Sequence, residues 1–246
     1  MLLSIVLTLS AIATPCSQAL PFTAGLTQGL ERYVDEDGNV NYPQIAADKT
    51  QLFSTFLDET AALCPKTFNK LSVDDRVALV INFYNAWVIE FMTGSDGRPQ
   101  SILKVRVKGK SVFDAPLIRV NWHSGVLSLN QLEKKILPSL RPDPRYHFAL
   151  VCGAKSCPKL RRIAYQGKGL DGALTFETRK FLDDTERNQL RGSTWRVSRL
   201  FDWYKVEFGT SNEATIDWIM RFIDSKSSRP TQLEFMEYDW SPNLRK

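Results

Sequence analysis

Apolar residues fall at helical intervals in several stretches of the chain and in short continuous runs elsewhere. Between Ala46 and Leu63, the positions Leu52, Phe53, Phe56 and Leu57 share one face, which predicts a first long helix. The segment from Val77 to Met92 is apolar nearly all round, with Asn82, Asn85 and Glu90 as its polar interruptions. Ser72 stands where a cap is needed, and Asp75 three residues on closes a capping box. A helix apolar on every side is one buried inside a domain. Arg76, Asn82, Asn85 and Glu90 argue against a membrane span there.

Downstream the pattern changes. Ile102 to Phe113 predicts a hairpin turning at Lys108-Gly109, and Leu117 to Trp122 a further strand. Ser128 with Gln131 predicts the start of another helix. Arg145 to Cys152 reads as the best strand of the chain. Asp171–Leu182, Ser198–Phe208 and Asn212–Ile223 read as amphipathic helices, and Leu233 to Tyr238 as a last strand. Helices and strands are mixed without strict alternation. The expected fold is therefore α+β, a mainly antiparallel sheet packed around a buried central helix, with additional C-terminal helices.

Composition narrows the function classes. The chain has 246 residues, 43% of them apolar, enough to bury a core without metals or many cross-links. A net charge of +5 is too modest to argue for nucleic-acid binding. Lys104, Arg106, Lys108 and Lys110 alternate with Val105 and Val107, so a strand would place the four cations on one face. A solvated outer face is the ordinary reading, and weak contact with an anionic surface the functional one. Two histidines without metal-ligand spacing predict no transition-metal site, and no cofactor motif is present.

Residues 1–19 read as a secretory leader. Leu2 to Ala13 carries no charge, and Ser17 and Ala19 are small residues at the positions a signal peptidase reads. Cleavage after Ala19 predicts a secreted or otherwise extracytoplasmic protein, with residues 20–246 as a single domain. Cys64, Cys152 and Cys157 then remain, and three thiols cannot all pair within one chain.

The densest chemistry lies between Asp143 and Pro158, which holds His147, Cys152 and Cys157. In a regular strand His147 and Cys152, five apart, point to opposite faces. Cys157 lies beyond Gly153, where a turn can return it to His147. One reading is a thiol-dependent hydrolase or acyl-transferase: Cys157 as nucleophile, His147 as base, Glu133 or Asp239 orienting it, Asn82 or Asn85 donating to an oxyanion, and Lys155 or Arg161 lowering the thiol pKa. The other is a non-catalytic binding or scaffold module with structural cysteines, including a Cys152–Cys157 disulfide.

These motifs together resemble the family named domain of unknown function 547. Ile81-Asn82-Phe83-Tyr84-Asn85-Ala86 is similar to its Ile-Asn-Leu-Tyr-Asn-Ala helix. Leu127-Ser128-Leu129 through Leu132-Glu133, the run Asp143 to Pro158, Phe201-Asp202-Trp203-Tyr204 and Tyr238-Asp239-Trp240-Ser241 resemble its other landmarks in order. The resemblance spans roughly residues 40–243 and implies no established activity. The family includes exported bacterial proteins and C-terminal regions of plant leucine-zipper proteins, so its paired cysteines occur in both oxidising and reducing compartments. This chain departs from the pattern at Lys134, where the family usually has His, and at Val151, where it usually has Asn.

Overall fold

A computed structural model describes residues 16–48, 51–94, 100–223 and 229–245. Most of the expected leader, residues 1–15, lies outside the described residues. The described chain is helix-rich. Four helices come first: α1 Thr23–Tyr33, α2 Tyr42–Asp48, α3 Leu52–Ala62 and α4 Pro65–Lys70. They lead to α5, Val73–Thr93, the longest. The Ser72 hydroxyl accepts from the Asp75 N–H, as the sequence predicts, and every residue from Val77 to Ala86 is buried. The first expected helix splits instead into α2 and α3.

Strands are few and short. β1 (Arg106–Val107) pairs antiparallel with β2 (Lys110–Ser111), turning at Lys108-Gly109, and β3 (Ile118–Arg119) pairs antiparallel with β4 (Val126–Leu127). β5 (Thr194–Val197) and β6 (Gln232–Phe235) are parallel and in register over four residues. The fold is α+β as expected, but the mainly antiparallel sheet is absent among the described residues. Three separate two-stranded ribbons stand in its place. The cationic stripe is also broken up. Lys104 ends a 3₁₀ turn and donates to the Gln100 amide (2.7 Å), Arg106 turns back onto the Leu103 carbonyl, and Lys108 sits in the turn itself at φ 49°.

After β4, α6 (Leu129–Gln131) runs into a π-helical turn over Leu132–Ile136 and then α7 (Leu137–Leu140). Ser128 and Gln131 close the predicted capping box. The widened turn has a local cause: Pro138 has no N–H for the Lys134 carbonyl, and its ring crowds that turn. α8 (Leu170–Asp183), the short helices α9 (Leu200–Trp203) and α10 (Lys205–Phe208), and α11 (Asn212–Met220) follow.

Two apolar clusters form. The larger gathers α1 to α5 with Ile102 to Leu174. The smaller is aromatic: Phe148, Phe181, Trp195, Phe201, Phe208 and Trp218 with their aliphatic neighbours. Tyr146 packs in the first and Phe148 in the second, so His147 lies at the seam between them.

The N-terminal edge is tied down covalently. Cys16 is disulfide-bonded to Cys64, and Ser17 bridges Leu63 in parallel. All four cysteines of the chain are therefore paired, the second bond joining Cys152 to Cys157. The expectation of at least one unpaired cysteine was for a chain without residues 1–19; here Cys16 is present and supplies the fourth sulfur.

A candidate binding cleft at the helix seam

The strand expected over Arg145–Cys152 is instead a 3₁₀ helix, Pro144–Phe148, followed by an irregular segment. Asp143 initiates it: its carboxylate accepts from the Arg145 N–H, and Pro144 occupies the first turn with φ already fixed. The same carboxylate pairs with the guanidinium groups of Arg141 (2.5 Å) and Arg145 (2.7 Å), which hold its pKa below the usual range despite burial. With the strand gone, the alternation argument fails. His147, Cys152 and Cys157 all line one cleft.

That cleft has a volume of ≈ 280 Å³. Glu133 on the π turn and Tyr84 on α5 flank His147 at its floor. Tyr204 and Trp203 from α9 and its end, with Tyr238 and Trp240 from the C-terminal segment, form the wall. Asp114, Asn130 and Lys134 lie at the rim.

His147 is 3% exposed and clamped between carboxylates. Its Nδ1 lies 3.4 Å from Glu133 Oε1 and its Nε2 3.2 Å from Glu207 Oε1. The Nε2 contact is off the line of the N–H, an ion-pair contact rather than a directed hydrogen bond. Tyr204 stacks on the ring at 3.7 Å between centroids. Burial alone would disfavour the imidazolium, but the two carboxylates outweigh it and raise the His147 pKa. Glu207 responds in the opposite sense: burial pushes its pKa up, and the imidazole and the Tyr146 hydroxyl (2.7 Å) pull it down to a lowered value.

The phenols around this pair stay protonated. Burial, reinforced by the Glu133 charge, raises the pKa of Tyr84, Tyr204 and Tyr238. They therefore act as donors. Tyr84 donates to Glu133 Oε2 (3.4 Å), and Tyr238 donates to Cys157 Sγ (3.1 Å). The loop carrying the sulfurs turns at Gly153 (φ 79°), where a side chain would strike Met92. The C-terminal segment holds it: Lys155 N–H donates to Ser241 O (2.8 Å) and Asn243 N–H to Gly153 O (3.1 Å).

The sequence-predicted residues divide. Glu133, His147 and Cys157 meet in the cleft. Glu133 is buried beside His147. Cys157 carries no thiol, because it is bonded to Cys152. Asn82 and Asn85 do not line the cleft. Asn82 brackets Tyr165, accepting from its N–H (2.8 Å) and donating to its carbonyl (2.8 Å). Asn85 accepts from the Val151 N–H (2.9 Å) and donates to the Ala149 carbonyl (2.9 Å). The two amides pin passing backbone to α5, so the oxyanion role gives way to a structural one. Asp239 is exposed and caps a turn, accepting from the Ser241 N–H (2.8 Å) and hydroxyl (2.6 Å), so it does not orient His147. Arg161 pairs with Glu177, and Lys155 is exposed. Glu207, which completes the clamp, stands out by no local pattern. It lies within a stretch that reads as an ordinary amphipathic helix.

The structural role of Asn85 has a measurable consequence. Asn85→Ala should destabilise the domain by about 2–4 kcal/mol in urea unfolding, since a buried N–H and a buried carbonyl both lose their partner.

Residues 68–182 match the family model described as "Protein of unknown function, DUF547". The matched stretch is 115 of the 246 residues, under half of the chain. It carries α5, the π turn with Glu133, the 3₁₀ helix with His147, and both cysteines of the cleft. The aromatic wall and Glu207 come from residues beyond it. No curated protein and no solved structure matches the chain. Two positions where the sequence departs from the pattern it resembles now have places: Lys134 lines the cleft, and Val151 gives its N–H to Asn85.

Proposed function

We propose that the chain is an exported domain that binds an uncharged small ligand in the His147 cleft, with its four cysteines serving as structural cross-links. The observation that carries this reading is the Cys152–Cys157 bond in the cleft wall, which removes from nucleophilic chemistry the sulfurs nearest the imidazole. His147 in turn has both nitrogens facing carboxylates, an arrangement suited to holding a charge rather than to taking a proton from a substrate.

The lining supports the ligand class. Asp114 and Glu133 are balanced by Lys134 and the imidazolium, so the cleft does not select strongly for charge. Trp203, 45% exposed, stacks on Trp240 (5.6 Å, 28°) and lies 4.7 Å from Tyr238, giving the wall a flat apolar platform. Asn130, which donates to Asp114 at 2.6 Å, supplies polar groups to the same lining. A flat apolar face with hydrogen-bonding edges describes a neutral sugar ring. The volume is just below the ~300–1,000 Å³ typical of ligand sites, so the ligand is small. Export is supported by the uncharged Leu2–Ala13 segment and by two disulfides, which persist in oxidising compartments.

The test is a titration of the oxidised protein with neutral mono- and oligosaccharides, read by tryptophan fluorescence. A saturable change is expected, with affinity weakened about tenfold or more by Trp203→Ala. A flat response across the saccharides would reject the ligand class.

One observation favours a second reading, in which the site works when reduced. Cys157 Sγ receives two donors, the Cys152 N–H and the Tyr238 hydroxyl, each at 3.1 Å. Donors of this kind stabilise a thiolate. Rapid labelling of Cys157 below pH 7 after mild reduction, lost in Cys157→Ser together with ester hydrolysis, would replace the binding reading with the thiol-dependent one.

A further inference from the structure

One side chain joins the cross-link in the cleft wall to the aromatic platform. The Tyr238 hydroxyl lies against both sulfurs, 3.1 Å from Cys157 Sγ and 3.4 Å from Cys152 Sγ. The ring of the same residue packs on Trp203 (4.7 Å between centroids) and on Trp240 (4.6 Å). The loop between the sulfurs has other anchors besides the bond. Arg187 donates to the Cys157 carbonyl (2.7 Å) and the Lys155 carbonyl (2.5 Å), and pairs with Asp184. From the C-terminal segment, Asp239 O accepts from the Ser156 N–H (3.2 Å), and Pro242 bridges Ala154. Opening the bond therefore leaves the loop attached to the fold and frees the sulfurs within it.

The two sulfurs are not equivalent. Both line the cleft, but Cys157 is 2% exposed and Cys152 only partly buried. A thiolate entering the cleft thus meets Cys152. Its attack forms a mixed disulfide on Cys152 Sγ, breaks the Cys152–Cys157 bond and leaves the electron pair on Cys157. Two donors already point at that sulfur, the Cys152 N–H and the Tyr238 hydroxyl, each at 3.1 Å. They stabilise it as a leaving thiolate. The second thiol of a dithiol then attacks the mixed disulfide, closes a disulfide within the reagent and releases Cys152. Two electrons and two protons pass from the dithiol to the cysteine pair, the Cys157 proton exchanging with solvent.

We propose that the Cys152–Cys157 bond is a redox gate on the cleft, opened by a dithiol at Cys152 and closed again by a disulfide. This rests on the binding reading above and adds its regulation. Once unbonded, the sulfurs move apart to van der Waals contact. The Tyr238 hydroxyl cannot stay on both, and it follows the Cys157 thiolate, the stronger acceptor. The Tyr238 ring then shifts against Trp203 and Trp240, and the platform loses the shape that receives a ligand. The oxidised protein is the binding form, and the reduced protein is the releasing form.

The experiment equilibrates the protein with graded ratios of reduced to oxidised dithiothreitol. One set of samples is alkylated and mapped by mass spectrometry, and a parallel set is titrated with the neutral saccharides by tryptophan fluorescence. The expected result is alkylation of Cys152 and Cys157 with the far-UV circular dichroism unchanged, a saccharide affinity lowered about tenfold in step with it, and recovery on reoxidation. Alkylation of these two residues only in urea would overturn the gate. So would an affinity that is unchanged or tighter when they are open, or a loss that tracks Cys16 and Cys64 instead; either leaves the binding reading standing. No saturable response in the fully oxidised protein would reject the binding reading and the gate with it. Tyr238→Phe separates the sulfur contact from mere packing. Without its hydroxyl the reduced form loses a donor to a charged sulfur, so half-opening should need a reduced-to-oxidised ratio about tenfold higher or more. A ratio that is unchanged or lower would overturn the part assigned to Tyr238 and the gate built on it.

Discussion

Replacing His147 with alanine should destabilise the domain by about 3–5 kcal/mol near neutral pH, as expected when one partner of a buried ion pair is removed. Glu133 is 6% exposed and would keep a buried carboxylate with only the Tyr84 and Tyr204 hydroxyls to serve it. Glu207 is more open to water and suffers less. Adding Glu133→Gln to His147→Ala should therefore recover part of the loss, because a neutral amide needs no counter-charge. If the double variant is as unstable as the sum of the single ones, the clamp is not an electrostatic unit.

The pH dependence of that difference follows from the direction of each shift. The folded-state pKa of His147 is raised, so its contribution is complete below the unfolded value of 6.5 and fades as pH climbs through the higher folded value. The pKa of Glu207 is lowered, so its contribution is complete above 4.5 and is lost as pH falls through the folded value. The stability gap between the native protein and His147→Ala should thus peak between those two limits, at about pH 5.5, and narrow toward alkaline pH. Urea unfolding across a pH series measures it. A gap that widens from pH 6 to pH 9 would contradict the raised imidazole.

Features written locally were legible, and features made by distant segments were not. Ser72 with Asp75, Ser128 with Gln131, the Lys108-Gly109 turn and the Asp171–Leu182 periodicity each specify their element within a few residues. Arg145–Cys152 misled because Phe148, Leu150 and Val151 are apolar for different reasons: Phe148 feeds the aromatic cluster, and Leu150 and Val151 the larger one. An apolar run buried on several sides has no alternation to show. The Asp143-Pro144 pair, a cap followed by a first-turn proline, was the local signal for a helix. The β5–β6 pairing joins residues 38 apart, such as Thr194 and Gln232, with no hairpin turn to announce it. Of the site, Glu133, His147 and Cys157 were identifiable from residue type and motif. Asn82 and Asn85 were conspicuous for the opposite reason: a polar group on an all-apolar helix must find a partner, and passing backbone supplied it.

Cys16→Ser should cost about 4 kcal/mol by the chain-entropy estimate for a loop of 48 residues. Opening the Cys152–Cys157 bond, which closes a loop of only 5 residues, should cost about 2 kcal/mol by the same estimate. The difference arises in the unfolded state, where a longer closed loop removes more conformations. The two cross-links therefore separate by measurement. Melting of Cys16→Ser, Cys152→Ser/Cys157→Ser and the parent, under identical oxidising conditions, should rank the parent highest and Cys16→Ser lowest. Saccharide affinity should follow the other order. The Cys152–Cys157 bond is in the cleft wall, whereas Cys16 is bonded to Cys64 between α3 and α4, and neither of those two residues lines the cleft. A Cys16→Ser protein still folded at low temperature should bind as the parent does, whereas the Cys152→Ser/Cys157→Ser protein, more stable but with a loosened wall, should bind more weakly. The reverse pattern would mean that the cleft bond stabilises the fold and does not shape the ligand site.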